Sequence, residues 1–149
     1  MDFPAKTGAA AIAQILSGGN VDESIRSDFD LLERIRSGLP HVALVNVANL
    51  LGLSVDALIQ RLDLSPRTMA RRHATTVVLN PVESESVVRA ARLYQLTMQV
   101  LGSHDKAKMW LGRESRALGG RVPLSFLDTS YGTRLVEDVL GRLDHGVIG

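Results

Sequence analysis

Ser65-Pro66-Arg67-Thr68-Met69-Ala70-Arg71-Arg72-His73 decides how the rest of this chain is read. Serine is a favoured helix cap and proline fits the first helical position, so the stretch begins as a helix start. Three arginines follow, and Arg67 and Arg71 are four residues apart, which places them on one helix face. The apolar segment 55–62 and the turn Asp63-Leu64-Ser65 precede it, giving the order of a helix-turn-helix. In that motif the second helix enters the DNA major groove with its N-terminal residues leading. A solvated basic helix on an ordinary bundle fits the same nine residues.

The 149 residues suffice for one domain or two small ones, and 45% of them are hydrophobic, enough to bury a core. There is no cysteine, so disulfides, thiol nucleophiles and thiolate metal sites are excluded together. No apolar run approaches the ~18 residues of a membrane span. Met1-Asp2-Phe3-Pro4 lacks the basic and apolar regions of a secretory signal, so a cytoplasmic protein is expected. The formal net charge of +1 is unevenly spread. Residues 1–53 carry four basic and six acidic groups, residues 54–98 six and four, and residues 99–149 seven and six. Local positive charge around the basic helix suits a small DNA footprint.

The patterning is helical almost throughout. Residues 9–16 form a short apolar helix stopped by Gly18-Gly19. Ile25, Phe29, Leu32 and Ile35 make an amphipathic stripe, ended by Gly38-Leu39-Pro40. Residues 42–51 are apolar and favour helix. Asn80-Pro81-Val82-Glu83 is a strong start for a long helix to Leu101, its inner face formed by Val87, Ala91, Tyr94, Met98 and Leu101. Ser103 caps a short helix carrying Ala107, Trp110 and Leu111, and a last helix runs from about Thr133 to Asp144. Only 75–79 is extended in character, and a lone strand reads as a connector. The fold class is therefore all-α, with three parts: an N-terminal helical segment (1–40), a helix-turn-helix domain (41–98) and a small helical C-terminal domain (99–149).

Catalytic machinery is not expected. Histidines 41, 73, 104 and 145 form no ligand-spaced pair, so neither a metal nor another cofactor is called for. Glu83 with Glu85, and Glu137 with Asp138, diverge on a helix and read as solvated faces. Leu118-Gly119-Gly120 is too short for a phosphate loop and reads as a turn. Trp110 reads as core or as a partner anchor.

From Leu53 onward the chain resembles the Xre/MbcA/ParS-type antitoxins, the partners of RES-domain toxins. Leu64-Ser65-Pro66-Arg67-Thr68-Met69-Ala70-Arg71-Arg72 looks like their recognition segment, followed by a long helix with Ser86, Arg89, Ala90 and Ala91. More specific are Ala107-Lys108-Met109-Trp110-Leu111, the run from Leu118 through Pro123 to Leu127, Asp128-Thr129-Ser130-Tyr131-Gly132, and the ending from Val136 to Gly146. Arg113-Glu114-Ser115 stands where many relatives carry a proline.

The resemblance implies an antitoxin that neutralises a RES-domain, NAD-consuming toxin by blocking its active site. It also implies binding to its own promoter DNA, as a homodimer within a larger complex. DNA contact is expected from Arg67, Thr68, Arg71 and Arg72. Toxin contact is expected from Trp110, Arg134, Val139, Arg142, Leu143, His145, Val147, Ile148 and Gly149, the slim tail entering the substrate cleft. The 25–35 stripe and the apolar N-terminal segment are the candidate dimer surface. A free-standing helix-turn-helix regulator whose C-terminal part only oligomerises is the alternative.

Overall fold

The computed structural model describes residues 8–74 and 76–146. Among them are eight α-helices and two short 3-10 turns, with no strand beyond isolated bridges. The helices are α1 (Gly8–Leu16), α2 (Asp28–Ser37), α3 (His41–Leu51), α4 (Val55–Arg61), α5 (Pro66–Ala70), α6 (Pro81–Leu101), α7 (His104–Leu111) and α8 (Ser130–Asp144). The 3-10 turns Arg116–Leu118 and Pro123–Phe126 lie between α7 and α8. The all-α expectation holds.

Helix α6 is the spine. Asn80 accepts from the Glu83 N–H and the Glu83 carboxylate accepts from the Asn80 N–H, closing a capping box in front of Pro81. Gly102, left-handed at φ 83°, stops the helix. Helices α1, α2, α3, α7 and α8 all pack on α6. Val87, Ala91 and Tyr94 are buried as the stripe requires. One cluster of buried side chains runs from Ala9 to Leu140, so the core is continuous along the described chain. The C-terminal turn Pro123–Phe126 also packs against α4, the first helix of the helix-turn-helix.

Two expectations about the N-terminal part need correcting. Helix α1 is spent on the core: Ile12, Ile15 and Leu16 are buried against α3 and α6, leaving no broad apolar face for a second copy. The 25–35 stripe is not one face either. Ile25 is buried ahead of the helix, and Leu31 turns inward, whereas Phe29 is 80% exposed and Leu32 40%. Helix α8 begins three residues earlier than expected, at Ser130, because Thr129 accepts the Gly132 N–H as cap.

The segment 76–79 crosses the α2–α3 junction rather than joining a sheet. Val78 pairs with Pro40 in a single antiparallel bridge. The Leu79 N–H donates to the Leu39 carbonyl (2.8 Å), and the Leu39 N–H donates to the Ser84 hydroxyl (2.9 Å). Gly38 makes the crossing possible. Its φ of 94° suits glycine alone, and a Cβ there would lie 2.3 Å from the Leu79 carbonyl oxygen.

Among the described residues no single helix is long and apolar enough to cross a membrane.

Candidate functional site

Helix α5 is short because its start and its stop are both encoded within nine residues. The Ser65 hydroxyl accepts the Thr68 N–H, Pro66 occupies the first turn, and Arg71 is already the C-cap. The preceding turn passes through Asp63 at φ 55°, a left-handed conformation that aspartate tolerates. Helices α4 and α5 pack together, so a helix-turn-helix pair is in place.

The four candidate DNA contacts have different fates. Arg67 is exposed, and among the described residues no ion pair or hydrogen bond engages its guanidinium. Thr68 does not face outward. It is 4% exposed, and its hydroxyl donates to Glu83 Oε2 on α6. Arg71 is half-buried, its Nη2 3.6 Å from the same Glu83 Oε2 and its Nε donating to the Arg67 carbonyl (3.4 Å). Arg72 Nε lies 2.8 Å from Asp56 Oδ1, a charge contact without an aligned hydrogen bond, while its Nη1 donates to the Met69 carbonyl (2.7 Å). His41, buried on α3, donates through Nε2 to the Arg72 carbonyl (2.6 Å). The basic segment is thus fastened to its scaffold by the side chains that looked available for DNA.

Glu83 is the residue the sequence reading misplaced. It is buried at 4% exposure rather than solvated. A carboxylate takes that position because a backbone N–H, a hydroxyl and a guanidinium together replace much of the water it loses. The Asn80–Glu83 cap was visible in the sequence. The long-range partners were not, since nothing local says that Thr68 faces α6.

In the C-terminal part, α8 lays Val136, Val139 and Leu140 on the core. Its outer face presents Tyr131, Arg134, Leu135, Asp138 and Arg142. The Arg134 guanidinium lies 4.9 Å from the centre of the Tyr131 ring, a cation–π contact. Arg142 borders a shallow groove with Arg121, Phe126, Leu135 and Leu118. Of the toxin-contact candidates, Arg134, Arg142 and His145 are exposed. Val139 is buried and belongs to the core, a correction that follows from its place between Val136 and Leu140 on the inner face. Trp110 and Leu143 are partly buried against the core. Val147, Ile148 and Gly149 lie outside the described residues.

Two arginines on α6 hold this part in place. Arg89 donates from Nη2 (2.9 Å) and Nε (3.3 Å) to the Leu127 carbonyl, just before α8. Burial lowers its pKa from the usual arginine value, while the nearby carboxylates of Glu85 and Asp128 act in the opposite sense. Arg92 pairs with Glu137 on α8 at 3.0 Å. Tyr94 shares a 2.7 Å hydrogen bond with His104 Nδ1, and burial raises the tyrosine pKa above its usual value. Among the described residues no three His, Asp or Glu side chains gather as a metal site.

The family model for the antitoxin Xre-like helix-turn-helix domain matches residues 30–92, and that for the antitoxin Xre/MbcA/ParS C-terminal toxin-binding domain matches residues 96–146. The chain belongs to the Xre/MbcA/ParS antitoxin family. It is 35% identical over 82 residues to an antitoxin Xre of Yersinia enterocolitica, covering 54% of this chain and only 55% of that relative. With the antitoxin Xre of Pseudomonas putida it shares 29% identity over 123 residues, 82% of this chain and 76% of the other. A chain in the crystal structure of the Mycobacterium tuberculosis MbcT–MbcA toxin–antitoxin complex superposes with a TM-score of 0.53 at 24% identity, covering 71% of this chain and 94% of that one, which shows a shared fold.

Proposed function

We propose that this chain is a non-enzymatic, cytoplasmic antitoxin that binds and neutralises a RES-domain, NAD-consuming toxin and represses its own promoter. What carries the reading is the match of both family models in order, a helix-turn-helix over 30–92 and a toxin-binding domain over 96–146. The geometry supports each half. Arg67 stands exposed at the start of α5, where a helix entering the major groove makes its base and phosphate contacts. The outer face of α8 offers exposed Tyr131 and Arg134 beside one shallow depression and Arg142 beside another, aromatic and arginine side chains of the kind common at interface centres. Neutralisation proceeds by occupancy of the toxin's NAD-binding cleft. The DNA-binding part spans 41–98 and the toxin-binding part 99–149. The homodimer forms through the exposed side chains Phe29 and Leu32 of α2, since an exposed apolar pair of this kind favours a second surface to cover it.

The test is co-expression with a RES-domain protein encoded beside this gene. A tagged toxin retains this chain through purification, and cellular NAD stays at its uninduced level. A toxin that purifies alone and depletes NAD regardless refutes the proposal. For the DNA half, Arg67→Ala weakens binding to the upstream DNA and flattens its salt dependence by about one unit of slope. Unchanged binding in a titration removes Arg67 from the interface.

A further inference from the structure

We propose that Glu83 is a built-in counter-ion that withholds Arg71 from DNA and so limits non-specific binding by the recognition helix. The inference rests on the DNA-binding reading above and goes beyond it by assigning the control to a residue outside the helix-turn-helix pair. Glu83 lies 15 positions from Thr68 in sequence yet receives its hydroxyl hydrogen, so the carboxylate is locked beneath α5. Its Oε2 faces Arg71 Nη2 at 3.6 Å. The carboxylate is almost fully buried while Arg71 keeps a third of its side-chain surface exposed. A guanidinium in that state is part neutralised in place and part open to solvent, and a phosphate on the same side must compete with a carboxylate that cannot leave. Arg67, four residues earlier in the first turn of α5, has no such partner among the described residues. The two arginines therefore differ: Arg67 contributes to binding any duplex, and Arg71 contributes little unless Glu83 loses its charge.

The affinity for a random-sequence duplex reports this directly, measured by fluorescence anisotropy across a salt series. Glu83→Gln keeps the shape and the amide oxygen of the capping box while removing the charge. It is expected to bind about five- to tenfold more tightly at ~0.1 M salt, with a salt slope steeper by about one unit, the signature of one more neutralised phosphate. Adding Arg71→Ala to Glu83→Gln abolishes the gain. In the otherwise unaltered chain, Arg71→Ala changes affinity less than about twofold while Arg67→Ala costs a full contact. This last comparison needs no Glu83 variant, so it decides the matter even if Glu83→Gln folds poorly. A Glu83→Gln slope equal to the wild type, a gain that survives loss of Arg71, or an Arg71→Ala loss as large as that of Arg67→Ala overturns the proposal. Failure of the DNA reading itself looks different: neither wild type nor Glu83→Gln then binds any duplex, and both ideas fall together.

Discussion

Replacing Arg89 with alanine is expected to loosen the C-terminal part from α6 at one identifiable point. The guanidinium sends two N–H groups to the Leu127 carbonyl, at 2.9 and 3.3 Å, and Nη1 reaches the Ser130 hydroxyl at 3.4 Å. Hydrogen bonds from a charged donor contribute about 1.5–3 kcal/mol each. Here two of the three are long, and the 2.9 and 3.3 Å bonds share a single acceptor, so the group counts as about one such bond. The Leu127 carbonyl left behind recovers part of the loss from water, because Arg89 is only partly buried. The net expectation is about 2 kcal/mol, or about 4–8 °C in melting temperature for a chain of this size. Urea unfolding gives the free energy, and hydrogen exchange locates it, with the protection lost concentrated at 123–133. Arg89→Lys keeps the charge and the stem but not the planar fork, so it restores less than half. A loss under about 0.5 kcal/mol, the range of ordinary surface substitutions, refutes the clamp, and so does complete rescue by lysine.

Gly38→Ala forces a Cβ to within 2.3 Å of the Leu79 carbonyl at a positive φ, and is expected to cost more than ~3 kcal/mol in thermal unfolding. Gly102→Ala, at φ 83° with open space around it, serves as the contrast and costs about 1 kcal/mol; equal effects at the two sites refute the steric account. Burial holds the Tyr94 pKa above its unfolded value of about 10, so the neutral phenol's contribution is complete below that pH and is lost as pH rises through the folded pKa. Melting curves between about pH 8 and 11 therefore show a steeper alkaline decline for the wild type than for Tyr94→Phe, and parallel curves refute this. Arg134→Ala with Arg142→Ala weakens toxin capture in a pull-down while changing stability by less than about 0.5 kcal/mol per site, and full capture excludes that face of α8.

Helix starts were legible because their chemistry is local. Ser65-Pro66, Asn80-Pro81-Val82-Glu83 and Ser103 each satisfy backbone N–H groups within three residues, and each cap is observed. Facing was less legible, because it depends on what packs from a distance. Thr68 and Glu83 look polar and solvated until each is seen to satisfy the other. Phe29 and Leu32 fit a helical stripe by spacing, but it is Leu31 on the neighbouring side that joins the buried core. Arg89 and Arg92 gave no sign of their roles, since the carbonyl and carboxylate they hold lie 38 and 45 residues away.

Helix α6 carries Glu83 under α5 and Arg89 and Arg92 under the C-terminal part, so a single helix ties both parts together. The turn Pro123–Phe126 resting on α4 closes the same loop from the other side. Contacts of this kind couple the global unfolding of the two parts. Under the proposed function, unfolding of the chain for degradation would end promoter occupancy and toxin restraint together, and so release synthesis of its replacement as protection lapses.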